Sequence, residues 1–386
     1  MVSSEDIIYL DHAAATPIAD FVFDEMRPFM TEKFFNPSSP YAPAISVRRE
    51  YEAAKADLAR VLGAKSDEII MTAGATESIN LMIHNVTGHI VTSAIEHAAV
   101  LEAVKTHEHT LVVPRPDGTI IPESIRAAIR PDTELVTIAY ANNEIGTIQL
   151  LSDIAAVVKD ERNRRSEAGE TQPIYFHSDA SQGAGVLDLH VSRLGLDALT
   201  LNAGKVYGPK QVGLLWASSN VKLHAYVVGG GQERGLRSGT ENIAGTVGFA
   251  KALQVAQDHR GAEASRLRKL RDILQTRLIE SFPDAVISGS RKKQLPGFLH
   301  ISFPGLDAER LLMMCESRGV LVATGSACAA NKGTRSHVLT AIGLAPEVAD
   351  GSLRITLGKL SNEDTIARAG DIIIDVVSTE RARLAR

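Results

Sequence analysis

Between residues 68 and 217, short apolar runs alternate with stretches of helical periodicity, and this alternation leaves few architectures open. Residues 68–72, 89–92, 135–139, 174–178, 198–201 and 213–217 read as strands; 44–62, 76–85, 97–107 and 152–165 read as helices. Such a pattern predicts an α/β fold around a largely parallel sheet, its apolar strands covered by helices on both faces. After about residue 250 the character changes. A long charged helical stretch, 251–281, precedes strands 286–288 and 299–303, a helix at 307–318, a strand at 352–356 and a last helix, which Ser361 with Asp364 is expected to cap. A smaller α+β domain on a larger one is the expectation, and a chain of 386 residues favours two domains. The boundaries drawn are 15–255 for the large domain, and 1–14 with 256–386 for the small one.

Composition removes several function classes. With 41 basic and 46 acidic side chains the net charge is −5, which argues against direct nucleic-acid binding as the main role. Two cysteines, Cys315 and Cys328, rule out a disulfide framework and a zinc ribbon. No apolar run approaches the roughly 18 residues that cross a bilayer, so no membrane partner is expected. The first residues, Met1-Val-Ser-Ser-Glu-Asp6, are acidic with no apolar core behind them, so a cytoplasmic location is expected.

Candidate chemistry sits where strands end. In Ala198-Leu-Thr-Leu-Asn-Ala-Gly-Lys205 a strand leads into a small-residue turn that presents Lys205. A lysine held there loses solvation, its pKa falls, and its amine becomes a nucleophile toward an aldehyde cofactor. Thr72-Ala-Gly-Ala-Thr-Glu-Ser78 opens a helix whose free N–H groups suit a phosphate, with Thr76 adding a hydroxyl or simply capping the helix. Asp179 follows a strand and either caps a turn or keeps a pyridine nitrogen protonated. His97 begins a helix, as a structural residue or as a ring that stacks on a planar cofactor and relays protons. Asn142-Asn143 ends another strand, where an amide binds a carboxylate or closes a turn. The segment from Gly229 to Thr240 is rich in glycine and carries Arg234 and Arg237, suited to an anion or to a flexible loop. Cys315 lies in an apolar helix and reads as core, whereas Cys328 lies in a small, polar loop and reads as a nucleophile.

Taken in order, Tyr9-Leu-Asp-His-Ala-Ala-Ala-Thr-Pro17, Asn36-Pro-Ser-Ser39, Gly74-Ala-Thr-Glu-Ser78, Asn142-Asn-Glu-Ile-Gly146, Arg237-Ser-Gly-Thr240, Gly325-Ser-Ala-Cys328 and Leu353-Arg-Ile-Thr-Leu-Gly358 resemble a known motif set. It is that of the cysteine desulfurases of the iron–sulfur-cluster and nitrogen-fixation type, pyridoxal-phosphate enzymes of the class V aminotransferase family. The resemblance implies the type I fold of pyridoxal-phosphate transferases, with a mostly parallel seven-stranded sheet in the large domain. It implies pyridoxal 5'-phosphate as cofactor and L-cysteine as substrate. It also implies a homodimer, and a sulfur-acceptor protein, either an iron–sulfur scaffold or a tRNA-thiolation protein.

By the same resemblance, Lys205 forms the Schiff base and then moves the α-proton, Asp179 pairs with the pyridine nitrogen, and Gln182 meets the ring hydroxyl. His97 stacks over the ring. Ala75, Thr76 and, from the partner subunit, Thr240 hold the phosphate. Asn143 and Arg354 bind the substrate carboxylate, and Cys328 takes the sulfur. The chain departs from the family where a serine and a histidine commonly precede the lysine: Asn202 and Gly204 stand there. Asn202 still offers a cofactor hydrogen bond, but weaker cofactor retention is expected. Two other readings stand beside this one. A different lyase of the same fold, such as a selenocysteine lyase, would keep Lys205 and Asp179 without needing Cys328. A non-catalytic sulfur-transfer partner would rest on Asn202 and Gly204 alone.

Overall fold

The computed structural model describes residues 7–325 and 335–385; Cys328 lies outside the described residues. Strand β1 is Ile8–Tyr9, and the main sheet then takes β2 Ile69–Thr72, β3 His89–Ser93, β4 His109–Val112, β5 Thr133–Thr137, β6 Tyr175–Asp179, β7 Ala198–Asn202 and β8 Gly213–Ala217. Its order is β2-β8-β7-β6-β5-β3-β4. Strands β3 to β7 pair in parallel. Strand β8 runs antiparallel to both neighbours, β7 and β2. Two reversals cancel, so β2 points the same way as β7, and six strands present their carboxyl ends on one edge.

Both faces of the sheet are covered, as the apolar strands require. One core gathers Phe176, Leu199, Leu214 and Trp216 under helices Asp20–Thr31, Ala42–Leu62, Leu151–Glu167 and Ile243–Asp258; the other gathers Ile70, Ile90, Leu135 and Leu215 under Ala75–Ile83 and Ala98–Val104. Polar side chains also cross the sheet. The buried His177 ring bridges Thr137 Oγ1 at 2.8 Å and Thr200 Oγ1 at 2.9 Å, tying β5, β6 and β7 together just before Asp179. Burial drives its imidazole down to about 4, so it stays a neutral strut.

A separate core holds β9 Val286–Ser288, β10 Phe298–Ser302 and β12 Ser352–Thr356 in an antiparallel sheet of order β12-β10-β9. Helices Arg260–Ser281, Ala308–Glu316 and Glu363–Leu384 cover it, and Ile8 and Leu10 join it through the parallel pair of β1 with β11 Val320–Leu321.

Several expectations need correction. The charged stretch 251–281 is two helices that meet at His259, Ile243–Asp258 on the main sheet and Arg260–Ser281 on the smaller one. The last helix is capped by Asn362, whose side chain accepts from Thr365 N at 2.8 Å while Thr365 Oγ1 accepts from Asn362 N. Ser361 instead accepts from Gly358 N at 3.2 Å. Strands β5 and β6 are displaced by one or two residues from their expected positions, and β1, β4 and β11 were not foreseen.

Phe176 is fully buried at the centre of the larger core. Phe176→Ala is expected to cost about 3–5 kcal/mol of unfolding free energy. Denaturant titration followed by the fluorescence of Trp216, the single tryptophan of the chain, measures this; a loss below about 1 kcal/mol would contradict the packing described.

Candidate active site

A cavity of about 250 Å³ opens at the carboxyl edge of the main sheet, as expected where parallel strands end. Its walls include Ala75, Thr76, His97, Asn143, Asp179, Gln182, Asn202, Lys205 and Arg354. Five strands supply all but one of them: β2 leads to Ala75 and Thr76, β3 to His97, β5 to Asn143, β6 to Asp179 and Gln182, β7 to Asn202 and Lys205. Arg354 arrives from β12, so the smaller sheet closes the site.

Lys205 ends the short 3-10 turn Ala203–Lys205, and Asn202 shapes that turn, its Oδ1 accepting from Gly204 N at 2.9 Å. The Lys205 ammonium donates to Ala13 O and Ala14 O, both at 2.7 Å. Burial lowers its pKa, and Arg354 lowers it further, against the opposing pull of Asp179 and Asp11. The amine is thus more easily freed of its proton than an ordinary lysine.

His97 is the N-cap of helix Ala98–Val104, and its Nδ1 accepts from Ala99 N at 3.1 Å. That bond leaves the proton of the neutral ring on Nε2. The ring stands open to the cavity, yet desolvation holds its pKa below the usual range, with Lys205 and His337 pushing the same way and Asp179 opposing. Asp179 closes β6, and its Oδ1 accepts from Ser181 N at 3.0 Å, so the turn-cap reading of this residue is met and its second oxygen is left over. Gln182 Nε2 donates to Ala13 O at 3.1 Å.

At the other wall, Gly74 is the N-cap of helix Ala75–Ile83, and Thr76 lies inside the first turn rather than capping it. The N–H groups of Ala75 and Thr76 precede the first intrahelical bond, Ser78 N to Gly74 O at 3.2 Å, and so are free to donate to an anion. Gly74 has φ +135°, and a Cβ there would lie 4.0 Å from Asn202 Nδ2, so the amide of Asn202 faces this turn. The turn also demands glycine across the sheet. A Cβ on Gly213 would stand 2.6 Å from the Gly74 carbonyl carbon and 2.7 Å from its Cα.

The Asn142-Asn143 pair divides its labour. Asn142 is buried, donates to Ile95 O at 2.8 Å and accepts from Glu144 N and Ile145 N at 2.9 Å, so it closes the turn. Asn143 lines the cavity, and its carbonyl accepts from Arg354 Nη1 at 3.0 Å. Arg354 is 2 % exposed and pairs through Nη2 with Asp11 Oδ1 at 2.6 Å.

Thr240 is exposed and does not line this cavity. Cys315 is fully buried, its thiol pushed up to about 12 by desolvation, which makes it an inert core residue. Sequence reasoning missed Asp11, Ala13 and Ala14, although all three stand in the quoted motif 9–17. It also missed Glu96, buried beside His97, where it accepts from Ser93 Oγ at 2.6 Å and from Ala139 N. Its carboxyl is raised to about 7 by desolvation. Ser93, three residues earlier, is a local partner, but Ala139 comes from the connection after β5 and no spacing marks it.

The clash at Gly213 is with backbone and cannot be relieved by a rotamer change. Gly213→Ala is expected to cost about 1–3 kcal/mol of stability and to weaken binding of inorganic phosphate, as measured by denaturation and calorimetric titration. Wild-type values in both would contradict the steric argument.

Known proteins resemble this chain in sequence and fold. The profile described as Aminotransferase class-V matches residues 8–368. The cysteine desulfurase IscS of Dictyoglomus turgidum is 38% identical over 387 residues, covering 97% of this chain and 95% of that protein. Its counterpart IscS 1 from Archaeoglobus fulgidus is 34% identical, covering 97% and 98%. A solved NifS-like protein superposes with a TM-score of 0.89 at 33% identity, covering 97% of this chain and all of its own. SspA, solved in complex with cysteine, gives 0.77 at 33% identity, covering 90% and 98%. With near-complete coverage in both sequence and fold, the chain belongs to the class-V aminotransferase family, in its cysteine desulfurase branch.

Proposed function

We propose that this chain is a cytoplasmic cysteine desulfurase. It takes the sulfur of L-cysteine, releases L-alanine, and passes the sulfur from a persulfide on Cys328 to an acceptor protein of iron–sulfur cluster assembly or tRNA thiolation. The observation that carries this reading is a desolvated lysine amine sharing one cavity with a carboxylate, an imidazole and a free helix N-terminus. Those groups fit pyridoxal 5'-phosphate. The N–H groups of Ala75 and Thr76 and the Asn202 amide would hold its phosphate, joined by Thr240 of a second copy in a homodimer. Asp179 would meet the ring nitrogen, Gln182 the ring hydroxyl, and His97 the ring face. In this reading residues 15–255 form the cofactor-binding domain, and residues 1–14 with 256–386 form the smaller one.

When bound, pyridoxal 5'-phosphate supplies an electron-accepting ring that eases loss of the substrate α-proton and loosens its Cβ–S bond. The chain's own residues do the rest. Arg354, fixed by Asp11 and the Asn143 carbonyl, offers its charge to the substrate carboxylate, with the Asn143 amide beside it. Lys205 Nζ, with its lowered pKa, takes the α-proton and returns it at carbon. His97, neutral and protonated on Nε2, serves proton movement at the sulfur side. The Cys328 thiolate attacks the substrate sulfur; an S–S bond forms as the Cβ–S bond breaks, and the electron pair left on Cβ takes a proton to give alanine.

Incubation with L-cysteine, with alanine and sulfur delivery measured separately, tests this reading. Lys205→Ala is expected to lower both by about 10²- to 10⁴-fold and to abolish the visible band of the bound cofactor. Cys328→Ser is expected to keep the band and lose sulfur delivery; wild-type delivery from that variant would favour a lyase of the selenocysteine type instead.

The lowered pKa of Lys205 sets a pH dependence. Only the neutral amine attacks the aldehyde, so uptake of pyridoxal 5'-phosphate should quicken with rising pH and level off below 10.5, the value of an unperturbed lysine. Removing the positive charge of Arg354 raises the Lys205 pKa, so Arg354→Gln is expected to move this profile to higher pH. Stopped-flow absorbance measures it, and an unmoved profile would contradict the electrostatic assignment.

A further inference from the structure

The glycine-rich segment 229–240 places a charged residue in the interior. Glu233 is 8 % exposed, and its carboxylate accepts hydrogen bonds from two separate elements. Helix Ala42–Leu62 supplies the Tyr51 hydroxyl and Lys55 Nζ, the latter at 3.0 Å, and strand β2 supplies Met71 N at 2.9 Å. The Lys55–Glu233 pair is closed to solvent on both sides. Burial, then the charge of Glu233, pushes the Tyr51 phenol far above its usual range, so it remains a donor. Glu233 and Arg234 have φ of +48° and +60°. Two adjacent side-chain-bearing residues in the left-handed region persist only where the surroundings over-determine them. Three donors converging on one carboxylate do so here.

The anchor leads to Thr240 in two bonds. Gln232, next to Glu233, accepts through Oε1 from Gly239 N at 3.0 Å, and Thr240 follows Gly239. Ser238 Oγ, accepting from Gly231 N at 3.2 Å, closes the same loop. Farther along, Arg237 Nε donates to Glu77 Oε1 at 2.8 Å, pinning the loop to helix Ala75–Ile83. The loop is therefore a rigid bracket that presents Thr240 outward, away from its own chain's cavity.

We infer that Glu233 is a positioning residue for cofactor retention in the partner subunit: its buried ion pair with Lys55 fixes the bracket that carries Thr240 into the neighbouring site. This rests on the reading above that Thr240 completes the phosphate site of a second copy. Glu233 touches neither cofactor nor substrate and reaches the partner's site only through the loop.

Hybrid dimers of the holoenzyme test it, because the effect crosses from one chain to the other. In each hybrid one chain carries Lys205→Ala, so the visible band reports a single site, and its decay during dialysis gives the rate of cofactor loss. With Glu233→Gln on the Lys205→Ala chain, the reporting site receives its Thr240 from the altered bracket and is expected to lose cofactor about tenfold faster. With Glu233→Gln on the reporting chain itself, the rate is expected to stay at the wild-type value. A defect that follows the altered chain's own site, or equal rates in both hybrids, overturns the inference. Should Glu233→Gln fail to fold with Lys55 left unpaired, Glu233→Gln with Lys55→Met removes both charges and is subject to the same two outcomes. Thr240→Ala in the same hybrids separates the two levels of the argument. If it leaves the partner's rate unchanged, the placement of Thr240 fails and the inference falls with it; if it speeds loss in the partner while neither Glu233 variant does, the inference alone fails.

Discussion

Parallel alignment of six strands, with β8 reversed between β7 and β2, is the constraint on which the rest of the site depends. A parallel sheet sends every connection that follows a strand out of one edge, so residues far apart in the chain meet there without long loops. The helix start at Ala75, the His97 cap, the Asn142 turn, Asp179 and the Lys205 turn are five such exits. The reversed strand adds no exit of its own. It brings Gly213 against Gly74 closely enough that Gly213 must lack a side chain, while Gly74 is a glycine for its φ of +135°, and the two together shape the turn before Ala75.

Electrostatics then divide the cavity. Lys205 and Arg354 are two cations in one partly desolvated space, and Asp11 and Asp179 are their counterweights. Arg354 is fixed by an ion pair and a backbone carbonyl, which suits a residue that must keep its charge. Lys205 is held by neutral carbonyls only, which suits one that must give its charge up. Neutral acceptors stabilise an ammonium less than a carboxylate would, so the arrangement itself favours release of the proton.

Most of the site was legible in the sequence because its residues sit at strand ends and in short contiguous motifs. Nine of the assigned residues line one cavity. Legibility failed where neighbours in space are distant in the chain. Asp11 stood inside a quoted motif, but its role appears only once β12 brings Arg354 beside it. Glu233 lies in the glycine-rich loop, and nothing local announces that Tyr51, Lys55 and Met71 N surround it. Among the secondary elements, β4 escaped notice because an edge strand needs little apolar character; its His109, Thr110 and Leu111 are partly or fully exposed. The break at His259 escaped because helical sequence continues on both sides of it, although the mostly apolar Ile243–Asp258 gives way there to the charged Arg260–Ser281 as the packing partner changes.

Lys205 also joins two parts of the chain. The Lys205 ammonium spends two of its three protons on the carbonyls of Ala13 and Ala14, which lie just beyond Leu10 in the smaller core. A nitrogen joined to carbon by a double bond keeps at most one proton, so covalent use of this amine must surrender at least one of those bonds. Gln182, donating to Ala13 O, and Thr356 Oγ1, accepting from Ala13 N at 3.0 Å, still grip Ala13. The lysine is thus a clasp between the leading segment and the main sheet, and in the proposed covalent use it would loosen as the cavity fills.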